Sequence, residues 1–212
     1  MKLGLISDVH GDPLALKLAC GHLRVLGAEK IVCAGDVVGY GPYPDQVVEF
    51  LAKAKIEAVR GNHDRWAVER GPGEVCAFGG GTPGAATIEH LKTVPENRVV
   101  DLESRIGVIV HGSPKSDMEY LTPRSHPASV LRGYLEDLDA ELLVYGHTHS
   151  PRWYRCDRGL VINPGSLVSM PVVRSSRSFA LVDTSDLSAR FFNVETGRPI
   201  DVPPWPEDGE LI

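Results

Sequence analysis

KLGLISDVHGDPLALKLACGHLRVLGAEKIVCAGD, residues 2–36, reads as strand, helix, strand, with a carboxylate just beyond each strand. Lys2 to Ser7 and Lys30 to Ala34 are short apolar runs rich in Ile, Val and Leu, the form taken by strands buried on both faces. Between them Asp12 supplies an N-cap and Pro13 the first helical position. Leu14, Leu18, Leu23 and Leu26 are spaced to line one face until Gly27 ends the helix. The pattern repeats with a helix around Asp45 to Ala54 and a strand at Ile56 to Arg60, and two such βαβ units predict a parallel sheet.

Farther along, Val99 to Leu102 and Gly107 to His111 read as strands around a turn, Ala128 to Glu136 as a helix and Leu142 to Tyr145 as a buried strand. Strands then dominate, at Trp153 to Cys156, Leu160 to Asn163, Phe179 to Asp183 and Ala189 to Val194. A parallel first half and an antiparallel tail predict two sheets packed face to face with helices outside, an α/β/β/α sandwich. Residues 71–84 hold six glycines and read as a mobile loop or lid; they lack the Gly-Lys-Ser/Thr of a nucleotide-binding loop. The stretch 201–212, with Pro203-Pro204-Trp205-Pro206, can continue neither a helix nor a central strand, and reads as an extended tail anchored by Trp205 to the body or to a neighbouring subunit.

With 212 residues, 42% of them hydrophobic, the expectation is one domain spanning 1–212. The start runs straight into a strand pattern without a leader, no segment approaches a membrane span, and Cys20, Cys33, Cys76 and Cys156 are scattered, so a reducing cytoplasm is expected. A net charge of −6 without a basic cluster disfavours long nucleic acid as a partner.

The chemistry lies in five short runs: Asp8-Val9-His10, Gly35-Asp36, Gly61-Asn62-His63-Asp64, His111-Gly112 and Gly146-His147-Thr148-His149. Each follows a β-like stretch, where parallel α/β sheets collect functional groups. Singly, each has an ordinary reading. Asp8 and Asp36 could cap loops, Asn62 could make an Asx turn, and His111, His147 and His149 could be packed imidazoles. Jointly they offer seven donors of imidazole, carboxylate and amide type without a thiolate, a set suited to Mn, Fe, Zn, Ni or Co. His22, His90 and His126 fall outside these runs and are read as structural.

The ordered set resembles the calcineurin-like metallophosphoesterase superfamily over residues 1 to about 170. The Asn163-Pro164-Gly165-Ser166 turn and the small size resemble its compact bacterial and archaeal phosphodiesterase branch. The resemblance implies two divalent cations, manganese foremost. Asp8, His10, Asp36 and His149 would hold one, Asn62, His111, His147 and Asp36 the other, and Asp36 would bridge them. Two cations about 3.5–4 Å apart generate a hydroxide at neutral pH and clamp the attacking and leaving oxygens of an in-line displacement. Their charge, less two carboxylates and the hydroxide, leaves a pocket of roughly +1 that attracts phosphate. His63 then becomes the candidate catalytic residue, donating a proton to the leaving group or stabilising phosphoryl charge, with Asp64 a candidate to orient it.

The Ser/Thr protein phosphatases of that superfamily continue Gly-Asp-x-Val-Asp-Arg-Gly, whereas here the stretch is Gly35-Asp36-Val37-Val38-Gly39-Tyr40-Gly41. A monoester dianion benefits from an additional bidentate cation and a singly charged diester needs it less, so small phosphodiesters or nucleotide-like esters are the expected substrates. Phosphomonoesters and dinucleoside polyphosphates are the enzymatic alternatives. A non-catalytic scaffold, as in the superfamily's retromer subunit, is the alternative of another class. Tyr40, Tyr43, Arg65 and Trp66 are expected in loops beside the ligand-bearing runs, and association of identical copies is left open.

Overall fold

A computed structural model describes residues 1–168 and 177–209. The strands are β1 (Lys2–Ile6), β2 (Lys30–Cys33), β3 (Glu57–Ala58), β4 (Arg98–Asp101), β5 (Ile106–Ile109), β6 (Leu142–Val144), β7 (Arg152–Arg155), β8 (Leu160–Asn163), β9 (Ser178–Asp183), β10 (Ser188–Asn193) and β11 (Pro199–Ile200). The helices are α1 (Pro13–Val25), α2 (Pro44–Lys53), α3 (Asn62–Arg70), α4 (Ala85–Thr93) and α5 (Ala128–Asp137), with a 3₁₀ turn at Ala77–Gly79.

One sheet runs β11-β10-β9-β1-β2-β3 and the other β4-β5-β6-β8-β7. In the first, β1, β2 and β3 are parallel and the late strands β9, β10 and β11 join antiparallel, with Gly4 opposite Ile31 on one side and Leu181 on the other. In the second, β5, β6 and β8 are parallel and β4 and β7 close the edges antiparallel. The expected four-layer sandwich is therefore present, but the sheets do not divide at the chain's midpoint. The late strands split between the two sheets, because β1 at the centre of the first sheet still has an open edge when β2 and β3 have paired.

The period-2 alternation of each central strand sorts its side chains into layers. Leu3 and Leu5 meet Ile109, Leu142, Val144 and Ile162 between the sheets, while Ile6 faces Leu16, Leu23, Val47, Leu51 and Leu91 under α1, α2 and α4. Leu143 and Val161 point the other way, against Leu131 and Leu135 of α5. A Cβ on Gly4 would stand 2.9 Å from a Leu23 methyl, so this glycine sets how closely α1 lies on the sheet. Truncating a wholly buried leucine such as Leu5 to alanine is expected to cost about 2–5 kcal/mol.

Several expectations change. Leu14 is 66% exposed. The buried arc of α1 is Ala15, Leu16, Ala19, Cys20 and Leu23, whose small members a leucine pattern overlooks. Asp12 caps this helix as expected, accepting from Leu14 N at 3.0 Å and Ala15 N at 2.9 Å. The strand expected at Ile56 to Arg60 is shorter, Glu57–Ala58, with Val59 N still donating to Cys33 O of β2 at 3.0 Å. Arg65 and Trp66 lie in α3 rather than in a loop. Trp205 is buried against the α5 layer and donates its Nε1–H to His126 O at 3.2 Å, so the tail is anchored to the chain's own body; its last three residues lie outside those described. No helix among the described residues is long and apolar enough to cross a membrane.

Candidate metal centre

Asp8 follows β1, Asp36 follows β2, Asn62 and His63 open α3 beyond β3, His111 follows β5 and His147 follows β6. These five strands, each parallel to its neighbours in the set, carry the groups at their carboxyl ends, where the loops of both sheets meet. His111 Nδ1 donates to Ala34 O of the opposite sheet at 2.7 Å. Asp8, His10, Asp36, His147 and His149 all have left-handed backbones, with φ of 53°, 46°, 53°, 65° and 57°. Each such residue costs on the order of 1–3 kcal/mol and persists only where its surroundings over-determine it. Here Asp8 N donates to Gly35 O at 3.0 Å, His10 N to Asp36 O at 2.9 Å and Gly146 N to His111 O at 2.7 Å.

These bends aim the side chains inward. Asp8, His10 and His149 bring one ligand atom each within 4.8 Å of one another, and so do Asp36, His111 and His147. The first set has His10 Nε2 3.0 Å from His149 Nε2, and Asp8 Oδ1 3.3 Å from His149 Nε2. In the second, His111 Nε2 lies 3.0 Å from Asn62 Oδ1. Asp36 joins them through one oxygen: Oδ2 is 3.2 Å from His111 Nε2 and 3.7 Å from His10 Nε2, while Oδ1 accepts the backbone N–H of His63 at 2.9 Å. All seven expected donors thus converge in one buried cradle.

The donor set fits a cation. With Nδ1 of His10 and of His111 directed at the carbonyls of Val38 (3.3 Å) and Ala34, their Nε2 atoms face the cradle, the arrangement by which a distant hydrogen bond orients a ligating ring. His147 Nε2 is buried and has no hydrogen-bond partner among the described residues. Burial holds His10 down to about 3 and His147 to about 4, against the pull of Asp36 and Asp8, so both rings are neutral at pH 7. Burial also pushes His111 downward, but the Asp36 carboxylate over-rides it and brings the ring up to about 10; Asp8 raises His149 in the same way. Burial pushes Asp36 upward, and the neighbouring His111 imidazole outweighs it and holds the carboxyl well below its usual range.

His63 is 5% exposed and sits at the rim. Its ring is held by other rings, with centroids 4.7 Å from Tyr40, 4.8 Å from His10, 4.9 Å from Trp66 and 5.7 Å from Phe78. Asp64 does not orient it. That carboxylate accepts Val38 N at 2.9 Å and Gly61 N at 3.0 Å, tying the start of α3 to the Asp36 loop. Burial, with the nearby Asp36 charge, pushes Asp64 up to about 7.

Asn163 and Ser166 are the ends of the Asn163-Pro164-Gly165-Ser166 turn. They support the cradle from behind, with Asn163 Nδ2 donating to Gly146 O at 2.7 Å and Ser166 Oγ to Asp8 O at 3.0 Å. The Gly61 of the Gly61-Asn62-His63-Asp64 run has a steric reason, since a Cβ there would stand 2.5 Å from Asp36 N. The aromatic surround of His63 had no spacing signal, since Tyr40, Trp66 and Phe78 come from three segments.

Residues 1–187 match the family model of the calcineurin-like phosphoesterase superfamily domain. The chain belongs to this superfamily. Phosphodiesterase YfcE of Escherichia coli is 30% identical over 203 residues, covering 91% of this chain and 93% of its own length. A phosphodiesterase of Methanocaldococcus jannaschii is 28% identical over 78% of this chain and 83% of its own. A metallophosphoesterase structure from Sphaerobacter thermophilus superposes with TM-score 0.69 at 26% identity, covering 92% of this chain and 88% of that one. A hypothetical protein of Pyrococcus horikoshii superposes with TM-score 0.76 at 23% identity over 92% and 88%, a likeness of fold. As a member of the calcineurin-like superfamily the chain is a metal-dependent hydrolase of phosphate esters, and its His and Asp clusters are groups that could hold the metal.

Proposed function

We propose that this superfamily member hydrolyses small phosphodiesters with two divalent cations, one held by Asp8, His10, Asp36 and His149, the other by Asp36, Asn62, His111 and His147. The observation that carries the reading is Asp36 Oδ2, which faces His111 of one donor set at 3.2 Å and His10 of the other at 3.7 Å. When bound, the cation pair supplies a nucleophilic water of lowered pKa and positive charge for the phosphoryl oxygens. Manganese suits the mixed nitrogen and oxygen donors, as do iron, zinc, nickel and cobalt.

The protein's own part is positional. Asp36 is held in register by the His63 N–H, and Asn62 and His63, being successive in the first turn of α3, are delivered together. His63 projects beside the donor sets and hydrogen-bonds the departing oxygen, handing over a proton or offsetting its charge. Support for a diester comes from the stretch after Asp36, where Tyr40 packs at 4.4 Å on His10 and no guanidinium occupies the position. Arg65 is itself engaged by Asp117, through Nε at 2.8 Å and Nη2 at 3.3 Å.

The test compares kcat/KM for bis-p-nitrophenyl phosphate and p-nitrophenyl phosphate in added Mn²⁺, with Asp36→Asn as control. Diester preference and loss of turnover in the variant are expected. A strong monoester preference, or a fully active variant, overturns the reading.

A further inference from the structure

A cavity of about 340 Å³ is lined by Trp66, Glu69, Arg70, Ala77 and Phe78, two of which also pack their rings on His63. Its two aromatic walls belong to different segments, Trp66 to α3 and Phe78 to the 3₁₀ turn, yet both rings contact His63, at 4.9 and 5.7 Å. Phe78 is 75% exposed, so burial does not account for its position. Its backbone is left-handed, with φ 60° and ψ 30°, a conformation unfavourable for a residue with a side chain.

The glycine-rich segment around it is fastened rather than loose. Arg70 Nη1 donates to Val75 O at 3.1 Å, Cys76 N to Gly81 O at 3.0 Å, and Gly81 N to Gly41 O at 2.8 Å. The last bond ties the segment to the loop that carries Tyr40, whose ring stands 5.4 Å from Phe78. An exposed aromatic ring in a constrained backbone, beside the group assigned to the departing oxygen, has the properties of a stacking platform: a large π face that loses little freedom when covered. Arg70 and Glu69 also line it, and although Arg70 Nη1 is used on Val75 O and Glu69 Oε1 accepts from Arg65 Nη1 at 3.1 Å, each side chain has further polar atoms for the edge of a heterocycle.

We infer that this cavity is the subsite for a flat aromatic ring on the departing group, so that the preferred esters carry a nucleobase or aryl substituent next to the scissile bond. The inference rests on the phosphoesterase reading above, because His63 defines which substituent departs. The net charge of −6 and the size of the cavity fit a single nucleotide unit rather than a polymer.

Two measurements on the Mn²⁺-loaded protein test this. The first is the ratio of kcat/KM for thymidine 5′-(p-nitrophenyl phosphate) to that for glycerophosphocholine, in wild type, F78A and F78W. F78A is expected to lower the ratio about tenfold, mainly through KM, and F78W to restore it. The second is quenching of Trp66 fluorescence by adenosine 5′-monophosphate, with W66F as background. F78A should weaken that binding about tenfold, whereas inorganic phosphate should leave the Trp66 signal unchanged. An unaltered ratio in F78A, or equal nucleotide affinity in F78A and wild type, overturns the subsite while leaving the phosphoesterase function intact. Phe78-dependent nucleotide binding without hydrolysis of either ester sinks the function and retains the subsite.

Discussion

Gly61→Ala isolates the geometry of the shared carboxylate without removing any donor. Gly61 has φ −89° and ψ 177°, which alanine adopts freely, so the substitution brings no backbone strain. Its effect comes from contact. The new methyl would stand 2.5 Å from Asp36 N and 2.9 Å from Asp36 Cγ, and it would press on Oδ1 as well. Ordinary carbon contacts begin near 3.5 Å, so Asp36 or the start of α3 must move by about 1 Å. Neither yields easily, since Asp36 O accepts from His10 N at 2.9 Å and Gly61 N is bound to Asp64 at 3.0 Å. Overpacking of this kind costs about 1–3 kcal/mol, and a 1 Å displacement of reacting groups costs about 100-fold in rate. The expected outcome is a folded protein with kcat/KM on bis-p-nitrophenyl phosphate lower by about 100-fold and weaker uptake of Mn²⁺ by calorimetry. Wild-type metal affinity together with kcat/KM within twofold of wild type would refute the argument that Gly61 is small in order to admit Asp36.

Gly21→Ala and Gly133→Ala are the counterpart, because each lies inside a helix and a Cβ there meets nothing within 4 Å; each should stabilise by about 0.5–1 kcal/mol in urea titrations of metal-saturated protein, additively. Asp64→Asn keeps the shape but turns an amide NH2 donor toward the Val38 or Gly61 N–H, so unfolding free energy should fall by about 1–3 kcal/mol, and an unchanged value would show that the two bonds are dispensable. Because the Asp36 carboxylate brings His111 up to about 10 while His10 and His147 are already neutral, metal uptake at pH 7 should release at least the His111 proton, read by calorimetry in buffers of different ionisation enthalpy; no release would contradict these protonation states. Chelation should lower the thermal midpoint, and Mn²⁺ at about 100 times its Kd should return about 2.7 kcal/mol per site, whereas an unresponsive midpoint would argue against a structural demand for the ion.

The strands of the core were legible because burial on both faces leaves apolar runs such as Leu3 to Ile6 and Leu142 to Val144, whose meaning does not depend on partners. Which sheet each strand enters was not. β9 pairs with β1 across most of the chain's length, and nothing local in Phe179 to Asp183 distinguishes that partner from β8. Helix α3 was missed because Asn62–Arg70 carries only Trp66, Ala67 and Val68 as apolar residues, too few for a stripe. Its signal was the start instead, where Asp64 stands three residues after Gly61 and its carboxylate accepts the Gly61 N–H.

The donors were legible for a different reason. A side chain proposed as a ligand at the end of a parallel strand must turn back over the sheet, and the turn used here is left-handed at Asp8, His10, Asp36, His147 and His149, none of them glycine. The glycines stand beside them, where other backbones and side chains press close: a Cβ on Gly35 would lie 2.7 Å from His111 Nδ1, and one on Gly146 would lie 2.9 Å from Asp8 Oδ2. The paired pattern of glycine then ligand therefore records two separate demands, close approach at one residue and an inward-aimed donor at the next. Either demand alone is common in turns. Their coincidence at Gly35-Asp36, Gly61-Asn62 and Gly146-His147 is what sequence can carry. The rings around His63 answer to no such local demand and became visible only when three segments were folded onto one another.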